Sequence, residues 1–327
     1  MKNYIFKSNF KEDIQNFLNL KRSTGYKYTT SQILIEQFDN FCYSKYQDKN
    51  ILDETIGLDW AKTRKDESVS SLQNRIVVVR EFARYLISLN KTAFVIPTTY
   101  IPKKNKYKSY IYTSNELEKI FDVIDNQKFK CTYKTSYTVF PVLFRIFYGC
   151  GLRISEALNL KVKDVDLQNG IIAVYEAKNG NDRLVPVSDN LKHFMLEYAN
   201  IMHKNSYSTD YFFYLKNSKT PIIKSTLRFS FARIMKSACI EKNKKINPRI
   251  HDFRHTFAVN CLKKFIKENK DLTVYLPILK TYMGHSKFIS TEYYLKLTND
   301  MYPDILDKFN SYIGNAIPKI GGDFDAE

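Results

Sequence analysis

Apolar residues recur at three- and four-residue spacing through most of this 327-residue chain, and this helical period constrains the fold more than any other feature of the sequence. The clearest run is residues 68–89. Its apolar positions are Leu72, Ile76, Val79, Phe82, Ala83 and Leu86. Residues 31–43 have the same period, and Thr29, Thr30 or Ser31 is expected to cap that helix. We predict four short helices within residues 1–92.

One segment departs from the helical period. Residues 170–188 contain two β-rich runs that flank Asn179-Gly180, a residue pair preferred in tight hairpin turns. From residue 190 onward the pattern is mostly helical again. The predicted fold class is therefore mainly α with a small antiparallel β-sheet, an α+β arrangement.

Helices are also predicted before the hairpin. Residues 113–124 form a helix for which Ser114 is the expected cap. Residues 137–160 contain a mostly buried helix, a stop at Gly149 and Gly151, and a second helix.

The segment IPTTYIPKKNKYKSY, residues 96–110, carries two prolines and a cluster of lysines. This composition indicates an extended basic linker, although an exposed charged loop would look the same. We therefore expect a helical domain at residues 1–95, the linker at 96–110, and a second domain at 111–327.

The chain is strongly basic, with 51 Lys and Arg against 34 Asp and Glu and a net charge of +17. Residues 1–106 contain 18 basic against 11 acidic side chains, and the remainder contains 33 against 23. Because the excess is spread over both halves, it favours a nucleic acid held between two domains over the alternative of a merely basic, solvated surface.

The five cysteines stand far apart and form no CxxC pair. This argues against a disulfide framework or a zinc ribbon and is typical of a reducing compartment. No run of about 18 apolar residues is present, and the N-terminal residues lack a signal-peptide pattern. We expect a cytoplasmic, nucleoid-associated protein.

The segment HDFRHTFAVNCLKKF, residues 251–265, combines titratable groups with an apolar helix face. The apolar positions, four residues apart, are Phe253, Phe257, Cys261 and Phe265. His251 and Arg254 are three residues apart and share a different face. A histidine and an arginine projecting together from a buried helix are unfavourable unless an anion binds there, so this is a candidate anion site.

A zinc site is the competing interpretation of this segment, because His251 and His255 have the spacing found in zinc proteases. Those motifs need a glutamate after the first histidine, where this chain has Asp252. Arg254 would also place positive charge beside the metal. We therefore predict no metal site, and histidines satisfied within the core remain the structural alternative.

Other candidate residues are unspecific when taken singly. His285 follows a glycine, which places it at a turn or helix start, and Tyr293 and Tyr294 come soon after it. Arg153 stands at a predicted helix start, and Lys178 lies beside the Asn-Gly turn, where it can move while the hairpin holds its base. Three of the five histidines lie in these C-terminal segments, a concentration not expected of a random core.

Taken in order, these segments resemble the tyrosine recombinase, or phage integrase, family, whose signature runs Arg, Lys, His-x-x-Arg, His or Trp, and Tyr. The matching residues are Arg153 in GLRISEAL, Lys178 in AKNGNDRLVPV, His251 and Arg254 in HDFRHTFA, His285 in MGHS, and Tyr294 in TEYYL. The resemblance is close over residues 140–298 and looser over 1–92. The family's hairpin reads Gly-Lys-Gly-x-Lys-x-Arg, and its second lysine is missing here. The family's nine-residue step from the histidine selects Tyr294 over Tyr293.

The resemblance implies site-specific recombination of DNA through a 3′-phosphotyrosyl intermediate. The implied roles are nucleophile for Tyr294, neutralisation of phosphate charge for Arg153 and Arg254, proton acceptance or positioning for His251, protonation of the leaving 5′-oxygen for Lys178, and a hydrogen bond to the phosphate for His285. Glu156 and Asp252 are expected to orient the cations, with surface helix acids as the alternative. Because the phosphotyrosine conserves the energy of the broken bond, no cofactor is expected.

The implied partners are double-stranded DNA, further copies of the chain in a tetramer on two DNA sites, and DNA-bending accessory proteins. Residues 1–95 would be the helical core-binding domain, and 111–327 the catalytic domain. The segment 301–314 would be a helix exchanged between subunits, or one that packs on its own domain. Expected DNA contacts are Arg22, Lys27, Arg75, Lys103 and Lys104. The event served would be integration, excision or resolution, for example of a mobile element.

Three other functions remain open from sequence. A type IB topoisomerase or telomere resolvase would use the same chemistry and would relax any supercoiled DNA. A non-catalytic DNA-binding module would lack cleavage, although the complete set of cations and a tyrosine argues against one. An RNA-binding protein is indicated only by charge and aromatic content, without a stacking-sheet motif.

Overall fold

The computed structural model describes residues 4–25, 28–103, 109–175, 182–240, 247–285 and Tyr294. These residues form eleven α-helices and one three-stranded antiparallel sheet, which confirms the predicted fold class. The chain divides into two compact units, Met1–Tyr107 and Lys108–Glu327. Within the described part of the chain, no helix combines the length and apolar character that crossing a bilayer requires.

The first unit is built from four helices, as predicted for residues 1–92. They are α1 (Lys11–Ser23), α2 (Thr29–Lys45), α3 (Glu54–Ala61) and α4 (Val69–Ser88). Helix α4 packs against the other three, and the core contains Phe38, Trp60 and Phe82. The predicted cap of α2 is wrong: the helix follows Tyr28, which has φ +42° and makes no side-chain capping bond, so residues 29–31 lie inside the first turn.

Arg75 lies in the interior of the first unit and is 2% exposed. Its guanidinium pairs with Glu67 at 2.8 Å and donates to the carbonyl oxygens of Trp60 and Lys62. It also lies 4.7 Å from the centroid of the Trp60 ring. The expected contact of Arg75 with DNA is therefore wrong, because its donors are satisfied inside the protein.

The second unit contains seven helices and the sheet. The helices are α5 (Ser114–Asp125), α6 (Ser136–Gly149), α7 (Ile154–Asn159), α8 (Asp189–Met202), α9 (Lys224–Ser237), α10 (His251–Lys267) and α11 (Leu272–Met283). The strands, in the order β1-β2-β3, are β1 (Val165–Asp166), β2 (Ile171–Val174) and β3 (Arg183–Pro186). Strands β2 and β3 pair antiparallel with Ile172 opposite Val185, which confirms the pairing of the two predicted β-rich runs. The predicted Asn179-Gly180 turn lies outside the described residues. Helix α6 is central and packs against α5, α8 and α10.

Helix α5 is capped one residue earlier than predicted. The Thr113 hydroxyl accepts from the Glu116 N–H at 3.2 Å, and the Glu116 carboxylate accepts from the Thr113 N–H at 2.8 Å. This reciprocal pair requires a hydroxyl three residues before a glutamate, a spacing that Thr113 has and Ser114 lacks.

The predicted glycine stop is confirmed, since α6 ends at Gly149 and α7 begins at Ile154. Gly151 has φ +59°, and a Cβ atom there would lie 2.6 Å from the ring of Phe257. Only glycine allows both this backbone conformation and the close approach of α10. The turn therefore brings the start of α7 against α10.

Candidate active site

Arg254 is the buried centre of the candidate site. It projects from the first turn of α10, is 2% exposed, and donates at 2.6 Å to the carbonyl oxygens of both Gly151 and Met283. Gly151 precedes α7, and Met283 is the last residue of α11. The Arg254 guanidinium therefore links α10 to two segments that are distant in sequence. Burial lowers the pKa of Arg254 to about 10, which leaves it charged at neutral pH.

Arg153 is the N-cap residue of α7. Its guanidinium pairs with the Glu156 carboxylate at 2.6 Å and donates to the Gly284 carbonyl at 2.8 Å. The backbone N–H of Arg153 also donates to Glu156, at 2.9 Å. Glu156 thus orients Arg153, and it does so from the interior, because its side chain is 4% exposed.

Arg183, at the start of β3, is a functional candidate that sequence reasoning missed. It donates to both oxygens of Glu156, at 2.9 and 3.3 Å, and to the Tyr282 carbonyl at 2.7 Å. Burial raises the pKa of Glu156, but hydrogen bonds from Arg183 and Arg153 outweigh it and lower the pKa to about 2. The available signal was the final arginine of the family's hairpin pattern, which this chain keeps.

Tyr294 lies between two histidine rings. Its ring centroid is 5.5 Å from that of His255 and 5.8 Å from that of His285, the latter nearly parallel at 20°. Tyr294 is 2% exposed and packs with Met283 and Leu262. The structure therefore brings the predicted tyrosine together with His285 on one side and α10 on the other.

His285 follows the end of α11, and not a helix start. Gly284 terminates the helix with φ +65°, and the His285 N–H donates to the Lys280 carbonyl at 3.0 Å. This is a typical glycine C-cap, because only glycine adopts the left-handed conformation without strain. The end of α11 thereby places His285 beside Tyr294.

His251 and His255 occupy the first two turns of α10, with ring centroids 4.9 Å apart. His255 was considered from sequence only as a metal ligand or core residue, although its place one turn after His251 was a signal that both reach one site. Burial, followed by nearby cations, lowers the pKa of His251 to about 4 and those of His255 and His285 to about 3. All three rings are therefore neutral at pH 7.

Asp252 is fully buried, and its carboxylate accepts from the Arg249 backbone N–H at 2.7 Å and pairs with the Arg249 guanidinium at 3.2 Å. The side chain of Arg249 is 45% exposed at the start of α10. Within the described ranges, no three His, Cys, Asp or Glu side chains come together as metal ligands.

The other predicted residues are placed as follows. Arg22 and Lys103 are exposed on the first unit, and Arg22 donates to the Gln32 side chain at 2.7 Å. Lys27, Lys104, Lys178, Tyr293 and the segment 301–314 lie outside the described residues. The described part of the chain thus unites Arg153, Arg254, His251, His285 and Tyr294, and adds Arg183 and His255.

The known proteins that this chain resembles are integrases and tyrosine recombinases. Residues 111–301 match the phage integrase family. The tyrosine recombinase XerD of Oceanobacillus iheyensis is 24% identical over 317 residues, covering 91% of this chain and 97% of the relative. The tyrosine recombinase XerA of Pyrococcus horikoshii is 27% identical over 251 residues, covering 76% of this chain and 77% of the relative. The Tn1549 transposon integrase in complex with circular intermediate DNA has a similar fold, with a TM-score of 0.63 at 18% identity over 86% of this chain and 94% of the integrase.

The family match and the relatives identify the chain as a tyrosine site-specific recombinase, an enzyme of DNA recombination, and its fold is similar to that of an integrase. The chain belongs to the phage integrase family, whose match spans more than half of its length.

Proposed function

We propose that the chain cuts and rejoins DNA by transesterification, with Tyr294 as the nucleophile. The observation that carries this proposal is the position of Tyr294 between His255 and His285, near the buried Arg254, whose pKa is lowered by burial and raised by the Tyr294 side chain. The Tyr294 oxygen attacks the phosphorus, a P–O bond to tyrosine forms, and the bond to the 5′-oxygen breaks. A free 5′-hydroxyl and a 3′-phosphotyrosine result, and attack by another 5′-hydroxyl reverses the step.

The two arginines neutralise charge that builds on the non-bridging oxygens of the phosphate. Arg254 is held by two carbonyls and Arg153 by a carboxylate and a carbonyl, so both guanidiniums are oriented before DNA binds. Such preorganised donors stabilise a transition state without reorganisation during the reaction. The planar fork of arginine suits two phosphate oxygens better than the ammonium of lysine.

Proton transfer is assigned to His251 and Lys178. A free tyrosine has a pKa near 10, so only about one in a thousand is ionised at pH 7. His251 is neutral at that pH because its pKa is about 4, so it accepts or positions the tyrosine proton. Lys178, which lies in sequence between β2 and β3, protonates the leaving 5′-oxygen, and His285 donates to the scissile phosphate.

Covalent trapping tests the nucleophile. The substrate is a nicked duplex that carries the site the protein selects from a random-sequence pool, so that the fragment after cleavage diffuses away. We expect a protein–DNA adduct at the 3′-phosphate with wild type and with Tyr293→Phe, and none with Tyr294→Phe. An adduct that persists in Tyr294→Phe and disappears in Tyr293→Phe contradicts the assignment.

We propose that residues 1–95 form a DNA-binding domain, which binds the target DNA site together with the linker at 96–110. The exposed positions of Arg22 and Lys103 support this role. Lysine and arginine at such positions bind backbone phosphates, and their loss weakens binding to all sequences alike.

We propose that four copies assemble on two sites through the segment 301–314. An apolar groove of the second unit supports this, because it is lined by Leu184, Pro277, Ile278, Thr281 and Tyr282, with Leu184 64% and Ile278 54% exposed. Its proposed occupant is the segment MYPDILDKFNSYIG of a neighbouring copy, whose apolar residues have helical spacing. Deletion of residues 301–327 should leave site binding intact and abolish pairing of two sites, whereas full recombination by the truncated chain would exclude exchange.

A further inference from the structure

A groove opens beside the candidate active site where α7, α9 and α10 begin. It is lined by Arg153, Ile154, Ser155, Lys224, Leu227, Arg228, Ile250 and His251. Arg153 and His251 belong to the site already described, whereas Lys224 and Arg228 have no role in it. The groove therefore continues the site toward the first two turns of α9.

The lining of this groove is cationic. Arg153, Lys224 and Arg228 are basic, and no acidic side chain is among the lining residues. Lys224 and Arg228 are four residues apart on α9, so they project from one helix face. Both are exposed, and neither has an ion-pair or hydrogen-bond partner in the part of the chain that the structure describes. Two like charges at this spacing repel each other, and an anion bound between them would relieve the repulsion.

We infer that this groove binds a backbone phosphate of the DNA strand next to the scissile phosphate, with Lys224 and Arg228 as its ligands. The inference rests on the proposed function, which places the scissile phosphate at Arg153. A DNA strand carries one phosphate per about 3.4 Å of helix axis. A strand held at Arg153 therefore carries its neighbouring phosphates along the groove that Arg153 shares.

The chemistry of the groove fits a sugar-phosphate strand better than an acidic peptide. Leu227 and Ile250 form buried apolar walls, and the charged groups Lys224 and Arg228 are exposed. Arg228 offers a planar fork to phosphate oxygens, and Ser155 adds a hydroxyl donor. Lys224 and Arg228 thus position the strand, while Arg153 acts on the reacting phosphate.

The salt dependence of DNA binding tests the groove without requiring cleavage. The probe is a fluorescent 40-base-pair duplex of mixed sequence, and the proteins are the full-length chain with and without Lys224→Gln/Arg228→Gln. Each neutralised phosphate contributes about 0.9 to the slope of log affinity against log salt, so the double variant, which gives up one phosphate, should lower the slope by about 1. The control is Lys236→Gln/Lys267→Gln, which removes equal charge from the last turns of α9 and α10 and should leave the slope unchanged.

An unchanged slope in a folded double variant, or an equal change in the control, overturns the proposal. Thermal unfolding of each variant shows whether it is folded. Lys224→Arg, which keeps the positive charge, should bind DNA as tightly as wild type. If Lys224→Gln/Arg228→Gln lost as much affinity for poly-glutamate as for DNA, the assignment of the groove to a phosphate strand would be overturned. These binding measurements stand even if Tyr294 forms no adduct, so failure of the groove and failure of the proposed chemistry are distinguishable.

Replacement of single phosphates by uncharged methylphosphonate locates the subsite. On a site mapped by covalent trapping, wild type should bind less tightly when one phosphate next to the scissile one is neutralised. The Lys224→Gln/Arg228→Gln variant should be insensitive at that position, because the partner charge is already gone. If neutralising each neighbouring phosphate weakened the binding of wild type and of the double variant equally, the placement of that phosphate at Lys224 and Arg228 would be contradicted.

Discussion

The Arg183 guanidinium donates to both oxygens of the Glu156 carboxylate, at 2.9 and 3.3 Å, and the two side chains are 5% and 4% exposed. Glu156 in turn holds Arg153, and Arg183 holds the backbone at the end of α11. One buried ion pair therefore links α7, the hairpin strand β3, and the turn that carries His285. Arg183 acts as a positioning residue in this arrangement.

Loss of either partner should destabilise the second unit. Glu156→Gln leaves the buried Arg183 guanidinium without a carboxylate partner, for which we expect a loss of about 3 kcal/mol in the free energy of unfolding by urea. Arg183→Gln should cost less, because Glu156 keeps its ion pair with Arg153. The double variant should lose less than the sum of the two, because the pair acts as a unit. Glu268→Gln, which removes an exposed pair with Lys264, should have no measurable effect. Strict additivity of the two buried variants would contradict the coupling.

Gly284→Ala should impair both folding and cleavage. A Cβ atom at this position would lie 2.7 Å from Nη1 of Arg183, and the backbone has φ +65°. The left-handed backbone alone costs about 1–2 kcal/mol with a side chain, and displacement of Arg183 adds to it. Gly25→Ala is the matched control, because Gly25 has φ +84° and open space around it. Covalent trapping should fall only in Gly284→Ala; equal loss in both variants would rule out the role of the contact.

Acid should weaken the fold below pH 6.5 through the three histidines. Their folded pKa values of about 4, 3 and 3 lie below the unfolded value of about 6.5, so the unfolded chain binds more protons in this range. Stability that is fully present above pH 6.5 is therefore lost as the pH falls toward 4. Urea unfolding at pH 7.5 and 5.0 measures the loss, which should shrink in His255→Gln. An equal loss in that variant contradicts the low pKa of His255.

The rate of DNA cleavage should depend little on acid in the same range. His251 keeps its neutral form down to about pH 4, so trapping rates at pH 8.0 and 5.5 should agree within about twofold. A histidine with an ordinary pKa would lose most of its basic form between these values. A tenfold fall at pH 5.5 in a protein that remains folded would show that His251 titrates normally.

Substitution of Arg75 should reduce stability, whereas substitution of Arg22 should reduce DNA affinity. Arg75→Met leaves the Glu67 carboxylate, 9% exposed, without its partner, so we expect a loss of about 3 kcal/mol in stability. Arg22→Gln, at an exposed position, should leave stability unchanged and lower DNA affinity at low salt. Lower DNA affinity in a fully stable Arg75→Met variant would restore the expectation that Arg75 contacts DNA.

The amino-acid sequence by itself determined the fold class, the four N-terminal helices, the hairpin and the glycine stop after α6. These features depend on local patterns, since helical period, turn chemistry and capping act over a few residues. The family signature named the residues of the candidate site for the same reason, because each motif is a short local pattern.

Only the tertiary structure decided which charged groups are buried and what they pair with. Arg75 and Arg183 are both interior, and a local pattern cannot show this because an arginine is buried only where distant donors and acceptors meet it. Glu156 and Arg183 are 27 residues apart, and Arg254 bonds Gly151 across 103 residues. The low histidine pKa values have the same origin, because burial and neighbouring cations exist only after the chain has folded.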